Sequence, residues 1–303
     1  MPTMRVTQGL MVDRALNDLR AQVRRLLELQ EELSTGLRVN DPSDDPLAAR
    51  RAVNIRTQIG RDEQYLTNIS SAGPQLLESV TVIQGALSNL QRARELTLQG
   101  ASGTYSQLQL DEIAIEIDEI LEAALMEGNH QANGRFVFGG TRTLEKPFVE
   151  TRDADGQITA VAYEGNDEYI RIAVADNSLV RINEPGSRVF GSTQDVFQML
   201  IDIRDNLNAG DQASLQTRLS ELSDAEEQLL ISMAQIGATQ NRLERLTFNT
   251  EDFVQQLQGA LSDNIDADYA ETVLNLNAES NAYQAALQAA ARVIQPSLLD
   301  FVG

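Results

Sequence analysis

Three long stretches of this chain place apolar residues at alternating steps of three and four, and one shorter stretch does not. In the first, Val12, Leu16, Leu19, Val23, Leu26, Leu33 and Leu37 form an a/d seam interrupted by the polar Gln30. That is the pattern of a coiled-coil helix. It predicts one helix over residues 6–38, roughly 50 Å long at 1.5 Å per residue. The seam is narrow, so it needs a partner helix to cover it. Gly36 ends the helix, and Asn40-Asp41-Pro42 reads as a turn. Asp44, Asp45 and Pro46 then open a second helix, with Asp45 as N-cap and Pro46 at the first helical position. Asn40 to Pro46 is therefore expected to be a sharp joint between two helices.

The second seam runs Ala52, Ile55, Ile59, Leu66, Ile69, Leu76, Val80, Ile83, Leu87 and Leu90, in phase across Gly73-Pro74. An internal proline kinks a helix, so the pattern predicts one long kinked helix or, alternatively, two stacked ones. After a turn from Gly100 to Ser106 comes a shorter helix with Ile113, Ile117, Ile120 and Ala124 on one face. Residues 135–191 switch to short β-like runs at Arg135–Phe138, Pro147–Glu150, Ile158–Tyr163, Tyr169–Ala175 and Leu179–Ile182, with Asp155-Gly156 and Gly165-Asn166 read as hairpin turns. Phe136, Phe138 and Phe148 are expected to pack under this insert. Helical pattern returns with Asp195 as N-cap, followed by a third seam from Leu215 to Leu261 and a polar joint at Asp263–Asp268. The last helix carries Tyr269, Val273, Leu276, Tyr283, Leu287 and Ile294, and Pro296 stops it.

The order is mirrored about the insert, so the chain is expected to fold back on itself. The predicted fold is mainly α with a small inserted β domain: paired terminal coiled-coil helices, a long-helix bundle body and a hairpin-rich outer domain. The domains are then discontinuous: 1–42 with 263–303, 43–134 with 192–262, and 135–191. Two amphipathic ends around a different middle suit a subunit that polymerises through its ends.

Composition narrows the function. The net charge of -21 makes nucleic acid and anionic membrane poor partners. Residues 1–40 carry a net +1 and residues 262–303 a net -5, so little like-charge repulsion opposes pairing of the ends. The chain has no Cys and one His, His130, which excludes thiol catalysis and Cys/His metal sites. There is no 20-residue apolar run, and MPTMRVTQGLMVDR lacks the apolar core of a cleavable signal. Asp153-Ala154-Asp155-Gly156 lacks the later ligands of a calcium loop and reads as a turn. Gly139-Gly140 has no phosphate-loop context and reads as a turn leaving the helical body. Asp44 and Asp45 read as helix caps, and His130 as a cation at a helix end. No catalytic residue, cofactor or metal is expected.

The stretch LSTGLRVNDPSDDPLAARRA, from Leu33, resembles the N-terminal signature of the bacterial flagellin superfamily, and NIDADYAETVLNL, Asn264 to Leu276, resembles the matching C-terminal one. NGRFVFGGTRT, Asn133 to Thr143, VRINEPGSRVFG, Val180 to Gly191, and the ending PSLLDFVG look less like filament flagellin and more like the hook-associated junction subunits of that superfamily. The resemblance implies a non-catalytic structural protein of the bacterial flagellum, outside the cell, exported unfolded by the type III route with a chaperone. It implies self-association in a ring, contacts with hook-associated protein 1 and flagellin, and assembly through the two terminal seams and the joint. The alternative within the superfamily is a minor filament flagellin. A secreted enzyme or adhesin would need a constellation or a larger outer domain that the insert lacks.

Overall fold

The structure, a computed structural model, describes residues 3–294; Pro296, the ending PSLLDFVG and the side chain of Ile294 lie outside the described residues. The architecture is mainly α with a small inserted set of strands. In chain order the helices are α1 (Thr3–Thr35), α2 (Pro46–Gly100), α3 (Gln107–Gly128), the single-turn α4 (Gly186–Phe190), α5 (Val196–Ala209), α6 (Gln212–Ile265) and α7 (Tyr269–Ile294). The chain divides into two compact units. One holds the chain up to Arg61 and from Phe253 onward, and the other holds Asp62–Asp252.

Helix boundaries follow local chemistry. Gly36 sits at a φ of +74°, the left-handed region that ends a helix without cost to a residue lacking Cβ. Asp195 caps α5, its Oδ1 accepting from the amides of Phe197 and Gln198 at 3.0 and 3.1 Å. Helix α2 continues through Pro74 without a break. The seam stays in phase on both sides, and Ile69, Ala72, Leu76 and Ile83 all reach the same buried core, which holds the helix together despite the missing amide donor.

Six strands, β1 (Gln131–Ala132), β2 (Arg135–Phe136), β3 (Phe148–Arg152), β4 (Ile158–Tyr163), β5 (Arg171–Ala175) and β6 (Ser178–Arg181), form three separate antiparallel pairs, β1–β2, β3–β4 and β5–β6. Asp155-Gly156 lies in the β3–β4 hairpin turn as expected; Asp153 Oδ1 accepts from the amides of Asp155 and Gln157 at 3.0 and 2.9 Å. Gly165-Asn166 is not a hairpin turn. Asn166 is tied to the earlier glycine turn, its Oδ1 accepting from Thr141 N at 2.8 Å and its amide donating to Gly139 O at 3.3 Å. That diverts the chain into a new pair, whose turn is Asp176-Asn177, with Asn177 at a φ of +56°.

Helices and insert in this unit share one core. Phe138, Phe148, Phe190 and Phe197 form a cluster with centroids 4.8–5.6 Å apart in edge and tilted contacts. Phe138 and Phe148 are buried, and Phe136 is half-buried. The two boundary motifs clasp each other beside it. Asn183 Nδ2 donates to Gly140 O at 3.1 Å, its Oδ1 accepts from Ile170 N at 2.7 Å, and Gly186 N donates to Phe138 O at 2.8 Å. Arg204 of α5 is buried and donates to Asp118 of α3 and to the Ile158 carbonyl of β4, at 2.8 and 2.9 Å. Burial works against its charge, but the hydrogen bonds to Asp118 and Asp205 outweigh this and raise its pKa. Phe148 touches Phe190 and Phe197 of the cluster and also Tyr163, and it anchors β3, so Phe148→Ala is expected to cost about 3–5 kcal/mol. Denaturant unfolding of the full chain checks this.

Candidate assembly interface and interdomain joint

In the unit that contains the chain ends, α1 and α7 pack antiparallel. Arg25 Nη2 lies 2.8 Å from Glu279 Oε1, and Thr272 Oγ1 donates to Glu32 Oε2 at 3.4 Å. At the closed end, strand-like bonds replace side-chain pairing. Arg38 N and Val39 N both donate to Ile265 O, at 2.7 and 3.3 Å, Ala267 N donates to Gly36 O at 2.9 Å, and Leu37 bridges Asp266. Arg38 Nη2 reaches Asn264 O at 2.9 Å, and Asn264 Nδ2 reaches Ala48 O at 2.8 Å. Val39, Ala48, Ala52 and Ile265 form a small apolar core beneath these bonds. The two signature segments, 226 residues apart in sequence at the Arg38–Asn264 bond, are therefore one structural element.

The joint itself is a chain of caps. Asp44 Oδ2 accepts from Asn40 N and Asp41 N at 3.1 and 2.8 Å, and Asn40 Nδ2 donates to Leu37 O at 3.0 Å. Asp45 Oδ1 accepts from Leu47 N and Ala48 N at 3.1 and 3.0 Å, the N-cap bonds that start α2 with Pro46 at its first position. Pro42 lies in the turn, between Asp41 and the two acceptors. The Ala48 amide bond is the chief cause of a depressed Asp45 pKa; burial opposes it, and Leu47, Arg38 and Arg51 add to the lowering.

The structure separates the seam residues into two sets. Val12, Leu19, Leu26 and Leu33 are half-buried, as are Ala15, Gln22 and Leu29 beside them, which the seam spacing did not include. Leu37 is half-buried at the bridge. Leu16 and Val23 are exposed, at 40% and 37%. On α7, Val273, Leu276 and Tyr283 are half-buried, whereas Tyr269 and Leu287 are exposed, at 69% and 42%. The row that closes against α7 within one chain is thus 12/19/26/33, and the row 16/23 is left to solvent. Sequence reasoning also missed Arg38 and Asn264, although both lie in the signature segments; their polar side chains carry no periodic signal. Among the described residues no helix is long and apolar enough to cross a membrane.

The caps yield a pH-dependent test. A carboxylate with a depressed folded pKa adds stability above its ordinary range and loses it as pH falls through the folded value. Asp45→Ala is expected to lower the thermal midpoint of the full chain at pH 7. The gap to the unaltered chain should close below about pH 4, the ordinary aspartate range; circular dichroism melts at pH 3 to 7 measure it.

Residues 6–143 match the model of the bacterial flagellin N-terminal helical region. Flagellar hook-associated protein 3 of Escherichia coli K12 is 24% identical, over 94% of this chain and 96% of its own. The flagellar filament 33 kDa core protein of Treponema phagedenis is 26% identical over 81% of this chain and 80% of its own. Among solved structures, flagellar hook-associated protein-3 from Legionella pneumophila superposes with a TM-score of 0.62 at 16% identity, covering 69% of this chain and 97% of that one. With a match to the flagellin N-terminal region over residues 6–143 and a likeness to hook-associated protein 3 along nearly its whole length, the chain is similar to the flagellins and hook-associated proteins, structural components of the bacterial flagellum.

Proposed function

We propose that this protein is the junction subunit between hook and filament. It is non-catalytic, leaves the cell by the type III route without a cleaved signal, and assembles as a ring. On this reading it meets hook-associated protein 1 on the proximal side and flagellin on the distal side. The observation that carries the reading is the alignment with hook-associated protein 3 over 94% of this chain and 96% of its own. The terminal segments 1–42 and 263–303 form the inner tube, 43–134 with 192–262 the surrounding bundle, and 135–191 the outer domain.

The exposed apolar row supports assembly through the ends. An a/d seam covered on only one side leaves Leu16, Val23, Tyr269 and Leu287 partly open to water in the lone subunit, and burial by a neighbour of the surface each still exposes is favourable by about 0.6–2 kcal/mol. The minor-flagellin reading, favoured by the filament core protein's likeness, predicts a different phenotype. A strain lacking the gene is expected to show bare hooks by electron microscopy and to shed monomeric flagellin into the medium. Normal or shortened filaments would point to the flagellin reading. In the same strain, Leu16→Asp together with Leu287→Asp is expected to leave the secreted monomer folded by circular dichroism but fail to restore filaments.

A further inference from the structure

The seam between α2 and α3 contains a carboxyl group in an unusual position. Glu127, on the last turn of α3, points at α2 where Gly85 leaves room for it; a Cβ at position 85 would stand 2.6 Å from Glu127 Oε1. Oε1 accepts one hydrogen bond, from Asn89 Nδ2 at 3.1 Å. Oε2 is sealed from solvent and has no hydrogen-bond partner among the described residues. A charged carboxylate normally gathers several donors, and a buried one with a single neutral donor is costly. The neighbouring charges are engaged elsewhere. On α2, Glu78 lies 2.6 Å from His130 Nε2, and Arg92 pairs with Glu116 of α3 and with Glu95. From the insert, Arg152 pairs with Glu122 of α3. Burial accordingly pushes the Glu127 carboxyl up to about 7, with Asn89 acting weakly in the opposite direction.

The position matters because of the residues just beyond it. Glu127 O accepts from His130 N at 3.1 Å, closing the helix end. Two residues on, the Asn129 side chain makes a reciprocal pair with the backbone of Phe148, Nδ2 to its carbonyl at 2.9 Å and Oδ1 from its amide at 3.0 Å. That pair fastens β3 and the aromatic cluster to the end of α3.

We propose that Glu127 is a pH-sensitive latch at the root of the insert. Neutral, its carboxyl lies against Gly85 and holds the last turn of α3 on α2. Ionised, it draws toward water and loosens that turn together with the Asn129–Phe148 clamp. The sign comes from linkage: the folded chain binds the proton more tightly than the unfolded chain, so stability falls as pH rises from the ordinary glutamate range to about 7, and the loss is complete above it.

The test uses the full chain and Glu127→Gln. The unaltered protein is expected to lose a few degrees of thermal midpoint between pH 5.5 and pH 8.5. In the variant most of that loss should vanish, leaving it the more stable of the two at pH 8.5. Amide exchange in residues 121–130, corrected for intrinsic rates, should be about tenfold faster at pH 8.5 than at pH 5.5 in the unaltered protein alone. Glu184, whose pKa burial also raises, would give a slope that survives the substitution, so parallel profiles overturn the proposal. If Glu127→Gln does not fold, carboxyl carbon-13 titration of the unaltered chain decides. A midpoint near 7 for the carboxyl assigned to Glu127 supports the latch, and a Glu127 midpoint no higher than about 5.5 overturns it, whatever Glu184 does.

Discussion

The fold depends on one non-local closure, the bonds that tie residues 36–39 to 264–267. Helices can start anywhere their local sequence permits, but two helices at opposite ends of a 303-residue chain meet only if something fixes their register. Here backbone bonds and the Arg38 and Asn264 side chains do so, over a core of only Val39, Ala48, Ala52 and Ile265. The joint residues serve that closure. Asp44 ties the turn and Asp45 starts α2, so the chain leaves the closure in a set direction. Every seam contact between α1 and α7 then depends on the register set there, as the Arg25–Glu279 and Glu32–Thr272 pairs illustrate.

The helical part of this architecture was legible in the sequence because its signal is periodic. The seams, the N-caps at Asp45 and Asp195 and the stop at Gly36 each rest on local chemistry that a short window contains. Pro74 was ambiguous for the same reason: locally it argues for a kink or break, and only the buried core around Ile69 to Ile83 holds the helix continuous. The insert was half legible. Ile158–Tyr163 was read at its true bounds, but Gly165-Asn166 looked like a hairpin turn because the composition is right. Its actual role is set by Asn166 bonding to a glycine turn about 25 residues earlier, which no local window contains.

The candidate interface was legible as a seam but not as a division of labour. Heptad spacing says which residues share a stripe, not which half of the stripe the chain uses on itself. The structure assigns the 12/19/26/33 row to the internal pair and leaves Leu16 and Val23 open. Polar residues that carry the closure or the core, Arg38, Asn264, Asn183 and Arg204, gave no periodic signal at all. Their importance lies in partners distant in sequence.

This division bears on how such a subunit stays single until it is placed. A pair of long helices packed through one row of half-buried residues has little apolar burial to set against the entropy of ordering it. The closure at residues 36–39 and 264–267 holds the pair in register at one end, so a neighbour need not bring the ends together from an open chain. What remains exposed is the row a neighbour would cover, and its sparse apolar residues are spread along the helices rather than gathered in one patch. On the proposed assembly, weak pairwise contact and strong collective contact are the expected result, because each added subunit would complete a seam that a lone chain leaves half open.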